Sequence, residues 1–455
     1  MPSLRSPSVR ALRRAPLTPF LLLLLCLRMP LPCAAQPQAE KAKAPDEREV
    51  AALVEEYLQL GSRALGAARE RQLEIQARLA ALPDLSASEE ARWRKELQKA
   101  WEDLPGLPSK KGDNWYFEEP RRGRYIVGGK TGKPAGLLIG MHGGGVGSGD
   151  AGSIAPLYDG AAARQKWVAL FPEVLEKTER GWTDAGTEEW ILDLIEQARR
   201  SFSVDADRVY LAGHSMGGYG AWTLGAHHAD RVAALAPAAG APTPILDRAT
   251  GKPADIDWGV IPSLRNVPMV VYQSRDDPQV PADVNQLAAK QVAEARARWG
   301  GYADFTYWEV DGQGHGLPPG GAEAHFERIR DFSRQARPAE IVWQPVLDWK
   351  RQFYWLAWER PAEGALIEAR LEREANRITV TRVAGTGRGS GQGLAVYVDA
   401  DLVDFERPLE VLFDGRVVFT GLPQRRLEWL LETSTSGDPQ RRYCARVPLE
   451  PAAPR

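Results

Sequence analysis

Residues 211–221 read Leu-Ala-Gly-His-Ser-Met-Gly-Gly-Tyr-Gly-Ala, and Gly213-His214-Ser215-Met216-Gly217 inside them has the form G-x-S-x-G. Residues 208–212 ahead of it are a β-branched and apolar run, which predicts a strand. The small residues after it, Gly217, Gly218, Gly220 and Ala221, open a helix that can pack closely on a sheet. A chain that goes from strand to helix in so few residues turns sharply. The flanking positions take glycine because a Cβ there meets the neighbouring strand or helix. The serine at the apex has a strained backbone and an exposed Oγ.

A serine hydroxyl is a weak nucleophile until a base takes its proton, so the rest of the chain is read for that base. Residues 305–310 predict a strand that ends in Asp311-Gly312-Gln313-Gly314-His315-Gly316, a flexible loop carrying a histidine. His315 is the candidate base, returning the proton to the leaving group. Between Ser215 and His315, residues 268–273 predict another strand, leading into Ser274-Arg275-Asp276-Asp277-Pro278-Gln279-Val280-Pro281. An aspartate just past a strand end sits in the loop layer where ligands bind in open α/β sheets. Either Asp277 or Asp276 is placed to orient the imidazole and stabilise its charged form. Residues 136–141 form a buried-strand run followed by His142-Gly143-Gly144-Gly145. In that position the N–H groups of Gly143 and Gly144, with that of Met216 after the serine, are candidate donors to an oxyanion. A phosphate cradle is the other reading of such glycines, but no G-K-[ST] follows.

These motifs, with Val204-Asp205-Ala206-Asp207-Arg208-Val209-Tyr210 upstream of the elbow, resemble the α/β-hydrolase superfamily. Within it the chain is most similar to secreted bacterial esterases of the feruloyl-esterase and polyhydroxyalkanoate-depolymerase type, and to the catalytic domain of prolyl-oligopeptidase-type peptidases. The likeness covers about residues 114 to 337. It implies a mostly parallel sheet with helices on both faces and a Ser-His-Asp hydrolase acting on esters or, less often, peptides. No cofactor is implied, and the substrate is a small ester or one linked to a polymer. The D-P-x-V-P form of residues 277–281 favours Asp277 as the acid, with Asp276 as a turn cap. Ser274-Arg275 departs from the His-Gly that relatives often carry before the acid loop. Prolyl-oligopeptidase-type cleavage is one rival, weakened by the lack of long propeller repeats. A non-catalytic glycan- or partner-binding protein with a vestigial triad is another.

Composition narrows the classes further. The 455 residues carry a formal net charge of −2, which gives no argument for nucleic acid or an anionic membrane surface. The six histidines show no H-E-x-x-H, so no metal site is expected. Residues 1–35 resemble an export signal: Arg5, Arg10, Arg13 and Arg14 precede an apolar run at 17–27 that is too short for a membrane span. Small residues follow at Cys33-Ala34-Ala35. The expected location is the periplasm or the exterior. Removal of that segment leaves Cys444 alone and no intrachain disulfide.

The expected organisation is a signal at 1–35, a linker and helical arm at 36–113, the catalytic domain at 114–337, and a β-rich accessory domain with a loose tail at 338–455. In the arm, residues 48–81 have apolar positions at three- and four-residue spacing, and 86–101 form a second helix with Ser86 or Ser88 as N-cap. Residues 115–127 predict a hairpin. After 337, Trp343, Trp349, Phe353, Tyr354, Trp355 and Trp358 cluster, followed by short β patterns at 377–382, 393–398 and 409–420, the last turning at Asp414-Gly415. These suggest a small β-sandwich. The aromatic cluster reads as an interface with the hydrolase domain, with carbohydrate stacking as the alternative. The sequence 385–392 is glycine-rich and the tail from 433 is polar, both expected to be loose. Trp182 and Trp258 are expected to be packing residues, with lining of a substrate cleft as the second reading. His142 is expected to brace its loop and His214 to point away from the serine Oγ. His227, His228 and His325 are expected at the surface.

Overall fold

The computed structural model describes residues 45–118, 121–178, 181–242, 259–383 and 392–450, which all fall in one compact unit, Lys43–Arg455. The export-like segment, Trp258 and most of the glycine-rich 385–392 run lie outside the described residues.

Three helices come first: α1 (Glu47–Leu60), α2 (Gly66–Leu79) and α3 (Ala87–Glu102). The Asp46 carboxylate caps α1 by accepting from the Glu49 N–H at 3.0 Å, and Val50, Leu53, Val54, Tyr57 and Leu58 form its buried stripe. The expected single helix over 48–81 is two, because Gly61 takes a positive φ of 79° and ends α1. Ser86 begins α3 with a capping box to Glu89.

A hairpin of β1 (Gly112–Phe117) and β2 (Arg122–Gly129) then leads into β3 (Gly136–Met141), α4 (Ala151–Arg164), β4 (Trp167–Pro172), α5 (Thr187–Phe202), β5 (Val209–His214), α6 (Met216–His227), β6 (Ala234–Ala238), β7 (Met269–Ser274), α7 (Ala282–Trp299), β8 (Phe305–Val310) and α8 (Gly321–Glu327). The strands form one eight-stranded sheet in the order β1-β2-β4-β3-β5-β6-β7-β8. From β4 to β8 every neighbour is parallel, while β1 and β2 run antiparallel to their partners. Strands covered on both faces need apolar residues at every position, and β3, β4 and β7 are buried throughout. Alternate side chains serve opposite layers: Leu137, Ile139 and Met141 join the cluster that contains α5 and α6, whereas Leu138 joins α4 and Phe326 of α8.

The remaining strands are β9 (Glu340–Trp343), β10 (Gln352–Phe353), β11 (Leu356–Trp358), β12 (Ile367–Glu372), β13 (Arg377–Arg382), β14 (Leu394–Val398), β15 (Leu409–Phe413), β16 (Arg416–Gly421) and, after helix α9 (Leu427–Glu432), β17 (Ala445–Pro448). They form two sheets, β10-β11-β14-β17 and β16-β15-β13-β12-β9. Rings from the two meet where Trp343 stacks on Phe353 at 5.4 Å. Trp355 and Trp358 are fully buried, and the Tyr354 hydroxyl donates to the Ala229 carbonyl at 3.0 Å. Trp343, Phe353, Tyr354, Trp355 and Trp358 thus pack inside the protein.

The tail is a correction. Expected to be loose from 433, it instead closes the structure: β17 pairs with β14, and Thr433, Ser434, Asp438, Arg441 and Tyr443 are buried. Its polarity misled because its polar groups are paired inside the protein. Arg334 hydrogen-bonds Asp438 at 2.5 Å, and Arg199 donates to the Ser436 and Gly437 carbonyls.

Candidate active site

The elbow lies where the parallel sheet meets α6. Ser215 follows β5 directly, with φ 58° and ψ −122°, a backbone state that costs a side-chain-bearing residue free energy. Its N–H is held by the Ala238 carbonyl of β6 at 2.9 Å, and its carbonyl accepts from Gly218 at 2.7 Å and Tyr219 at 3.1 Å. The glycines are sterically required: a Cβ on Gly213 would strike the Gly217 carbonyl, and one on Gly217 the Met141 carbonyl of β3.

Three loops bring the polar groups together. His315, on the loop after β8, places Nε2 2.9 Å from the Ser215 Oγ and Nδ1 2.8 Å from Asp277 Oδ2. The Asp277 carboxylate has no exposed surface, and its Oδ1 accepts from the N–H groups of Gln279 at 2.8 Å and Val280 at 2.9 Å. Asp276 does other work. It accepts from the Ser274 hydroxyl at 2.5 Å, from Gly312 at 3.1 Å and from Gly314 at 3.2 Å, tying the β7 loop to the histidine loop. The Ser274 hydroxyl, helped by those N–H groups, holds its carboxyl below the usual range. Of the two rivals, then, Asp277 meets the imidazole and Asp276 shapes the loop.

Gly143 sits against the serine, its ideal Cβ 3.1 Å from the Ser215 Cβ. Gly144 has φ 147° and packs on the turn at Ser148–Gly149. Met216 is the first residue of α6, where helix geometry leaves the backbone N–H without an intrahelical acceptor. His142 braces this loop from below: the Val174 N–H donates to Nε2 at 3.2 Å, which leaves the proton on Nδ1, directed at the Gly143 carbonyl at 2.8 Å. Burial lowers its pKa and keeps the ring neutral. Trp182 is buried and donates from Nε1 to the His142 carbonyl, a packing role.

Several residues went unanticipated. His214 Nε2 hydrogen-bonds the His315 carbonyl at 3.0 Å, and the two rings lie 4.8 Å apart. Burial, then the neighbouring His315, lowers its pKa. Gln273 Nε2 binds the Ser274 and Val280 carbonyls, and its Oε1 accepts from Asn285 at 2.8 Å, so this buried pair sets the shape of the acid loop. A glutamine ending the apolar run of β7 was the available signal. Of the three histidines expected at the surface, His228 and His325 are buried and His227 is half-buried. His227 and His228 share Glu188, and His325 Nε2 lies 2.7 Å from the Val270 carbonyl. Among the described residues there is no group of acidic, histidine or cysteine side chains able to hold a metal, and no helix is long and apolar enough to cross a membrane.

A mostly parallel sheet in this strand order, with a strained serine between its fifth strand and the following helix, is the α/β-hydrolase fold. No family model matches the chain. It is 36% identical over 61 residues to a bifunctional acetylxylan esterase/xylanase of Neocallimastix patriciarum, a stretch covering 13% of this chain and 9% of that protein. Among solved structures it is similar to a thermostable esterase (TM-score 0.38, 20% identity, 50% of this chain and 63% of that one). It is also similar to a ferulic acid esterase of Anaeromyces mucronatus (TM-score 0.34, 16% identity, 49% and 89%). A third similarity is to a poly(3-hydroxybutyrate) depolymerase of Bordetella parapertussis (TM-score 0.33, 18% identity, 45% and 85%).

Proposed function

We propose that this chain is an exported carboxylic ester hydrolase working through Ser215, His315 and Asp277. The reading is carried by one observation, the continuous chain of hydrogen bonds from the Ser215 Oγ through His315 to the buried Asp277 carboxylate, at 2.9 and 2.8 Å. Ser215 attacks the ester carbonyl carbon while His315 Nε2 takes its proton. Asp277 stabilises the imidazolium. The N–H groups of Met216, Gly143 and Gly144 donate to the oxyanion. His315 then protonates the departing alcohol, and water, activated by the same imidazole, releases the acid from the acyl-enzyme. Substrates are small esters or acyl groups on a polymer, and the acetylxylan esterase in the partial sequence relative makes acetylated polysaccharide the first polymer to assay. Export rests on the basic and apolar segments at 1–35.

The test is a panel of short-chain p-nitrophenyl esters, a methyl hydroxycinnamate, acetylated xylan and a proline p-nitroanilide, run with the wild type and with Ser215→Ala. Ester turnover reduced roughly 10⁴-fold or more in the variant is the expected result. Anilide cleavage without ester turnover would move the chain to the peptidases. Ester hydrolysis retained by Ser215→Ala would overturn the assignment.

A further inference from the structure

At the C-terminal end of α6, far along the helix from Ser215, a polar cavity of about 80 Å³ opens between the N-terminal helices, α5 and the β strands. A buried water needs roughly 10–15 Å³ on the same measure, so the space takes several waters or one small polyatomic ion. Six cationic side chains line it: Arg63, Arg69, Arg231, Lys350, Arg351 and Arg441. The carboxylates within salt-bridge reach of them are fewer, and they are shared. Glu196 serves both Arg63 and Arg231, Asp230 serves Lys350 and Arg441, and Glu359 serves Arg69 and Arg351, with Glu432 on Arg69 and Asp193 on Arg63 besides. Asp193 and Glu359 are each more than a third exposed, so solvent screens much of what they offer the interior.

The donors are in surplus as well as the charge. Among the described residues, the buried Nε of Arg441 has no hydrogen-bond partner, and that of Arg351 has none nearer than Glu359 at 3.7 Å. Unmet buried guanidinium donors are costly. Burial pushes Lys350 well below its ordinary pKa, with Arg231 adding to the fall. Burial, then Arg69, lowers Arg351. Each of these groups would gain from one more negative charge nearby.

We infer that this cavity is an anion site, distinct from the Ser215 site, that takes a small tetrahedral oxyanion of the phosphate or sulfate type. Guanidinium forks match the paired oxygens of such an ion and make charge-assisted bonds to it. Bound there, the ion joins side chains from the start of α2 and the residues before it, the segment after α6, the residues before β10 and the tail before β17, so its effect is on how firmly these parts hold together.

The experiment is a titration of the full-length protein with inorganic phosphate, and separately sulfate, against sodium chloride at matched ionic strength, reading the thermal midpoint and ³¹P line width. Both anions also stabilise proteins unspecifically at high concentration, so the deciding features are saturation and dependence on the cavity. A saturable rise in the midpoint at low millimolar anion, absent with chloride, is expected. Selective ³¹P broadening, relieved by sulfate, should accompany it. Arg351→Gln should weaken apparent affinity by tenfold or more while leaving ester turnover unchanged. A linear, unsaturable response without ³¹P broadening overturns the proposal, as does an Arg351→Gln protein that responds as the wild type does. If that variant does not fold, Arg63→Gln, which lines the same cavity, makes the test instead, and an unchanged affinity there overturns the proposal.

Discussion

Ser215, His315 and Asp277 come from three separate loops, yet each is positioned by its own backbone. Ser215 is fixed by a strained φ of 58°, His315 by the Asp276 and Ser274 bonds to its loop, and Asp277 by the N–H groups two and three residues on. This division of labour separates two adjacent carboxylates experimentally. Asp277→Asn removes the charge that stabilises the imidazolium and disturbs its tautomer, and should lower kcat by roughly 10⁴. Asp276→Asn keeps an acceptor for Gly312 and Gly314, and should cost no more than roughly tenfold, since it acts through loop shape. Steady-state kinetics on the two variants test this, and equal losses would contradict the assignment of roles.

At the scale of elements, strand-to-helix junctions were the most legible part of the chain. The glycines around Ser215 announce a turn because nothing larger fits, and β3 and β4 announce burial because polar residues are missing from them. What was illegible was polar residues buried in pairs. His227, His228 and His325 resemble surface histidines in sequence because their partners, Glu188 and the Val270 carbonyl, lie far away along the chain. The tail resembles a loose end for the same reason, its Ser436 carbonyl and its Asp438 carboxylate being met by Arg199 of α5 and by Arg334 after α8. Gln273 and Asn285 support the acid loop through a contact that no local pattern encodes. Deleting residues 433–455 should therefore destabilise the whole protein. Loss of β17 exposes the edge of β14, and loss of Asp438 leaves Arg334 buried with one carboxylate fewer, a cost of about 3–5 kcal/mol for such a pair alone. Thermal unfolding checks it, and an unchanged midpoint would show the tail to be dispensable.

For the molecule as a whole, buried ionisable groups set the response to acid. Burial drives His325 down to about 4 and His228 to about 3, so both are neutral when folded. The unfolded chain takes up these protons below about 6.5 while the folded one does not, so stability falls as pH drops from there. His325 alone accounts for about 3 kcal/mol once pH is below its folded value. Glu196 and Asp438 act lower. Burial pushes each carboxyl up, but Arg63 and Arg231 outweigh it for Glu196, as Arg334 and Arg199 do for Asp438, leaving both at about 2. Their contribution is complete above the ordinary carboxylate range and is lost as pH falls toward 2. Denaturant unfolding at a series of pH values should show stability declining from about pH 6.5 and again below about 4. His325→Leu should flatten the first decline, and a variant with an undiminished slope there would remove His325 from this account.

The central claim is that Ser215 is an activated nucleophile. The most direct measurement is labelling of the folded protein with a fluorophosphonate probe, followed by mass-spectrometric mapping of the modified residue. Stoichiometric phosphonylation of Ser215, abolished by prior unfolding and by His315→Ala, is the predicted result. A folded protein that takes no label, or that is labelled elsewhere, would contradict it.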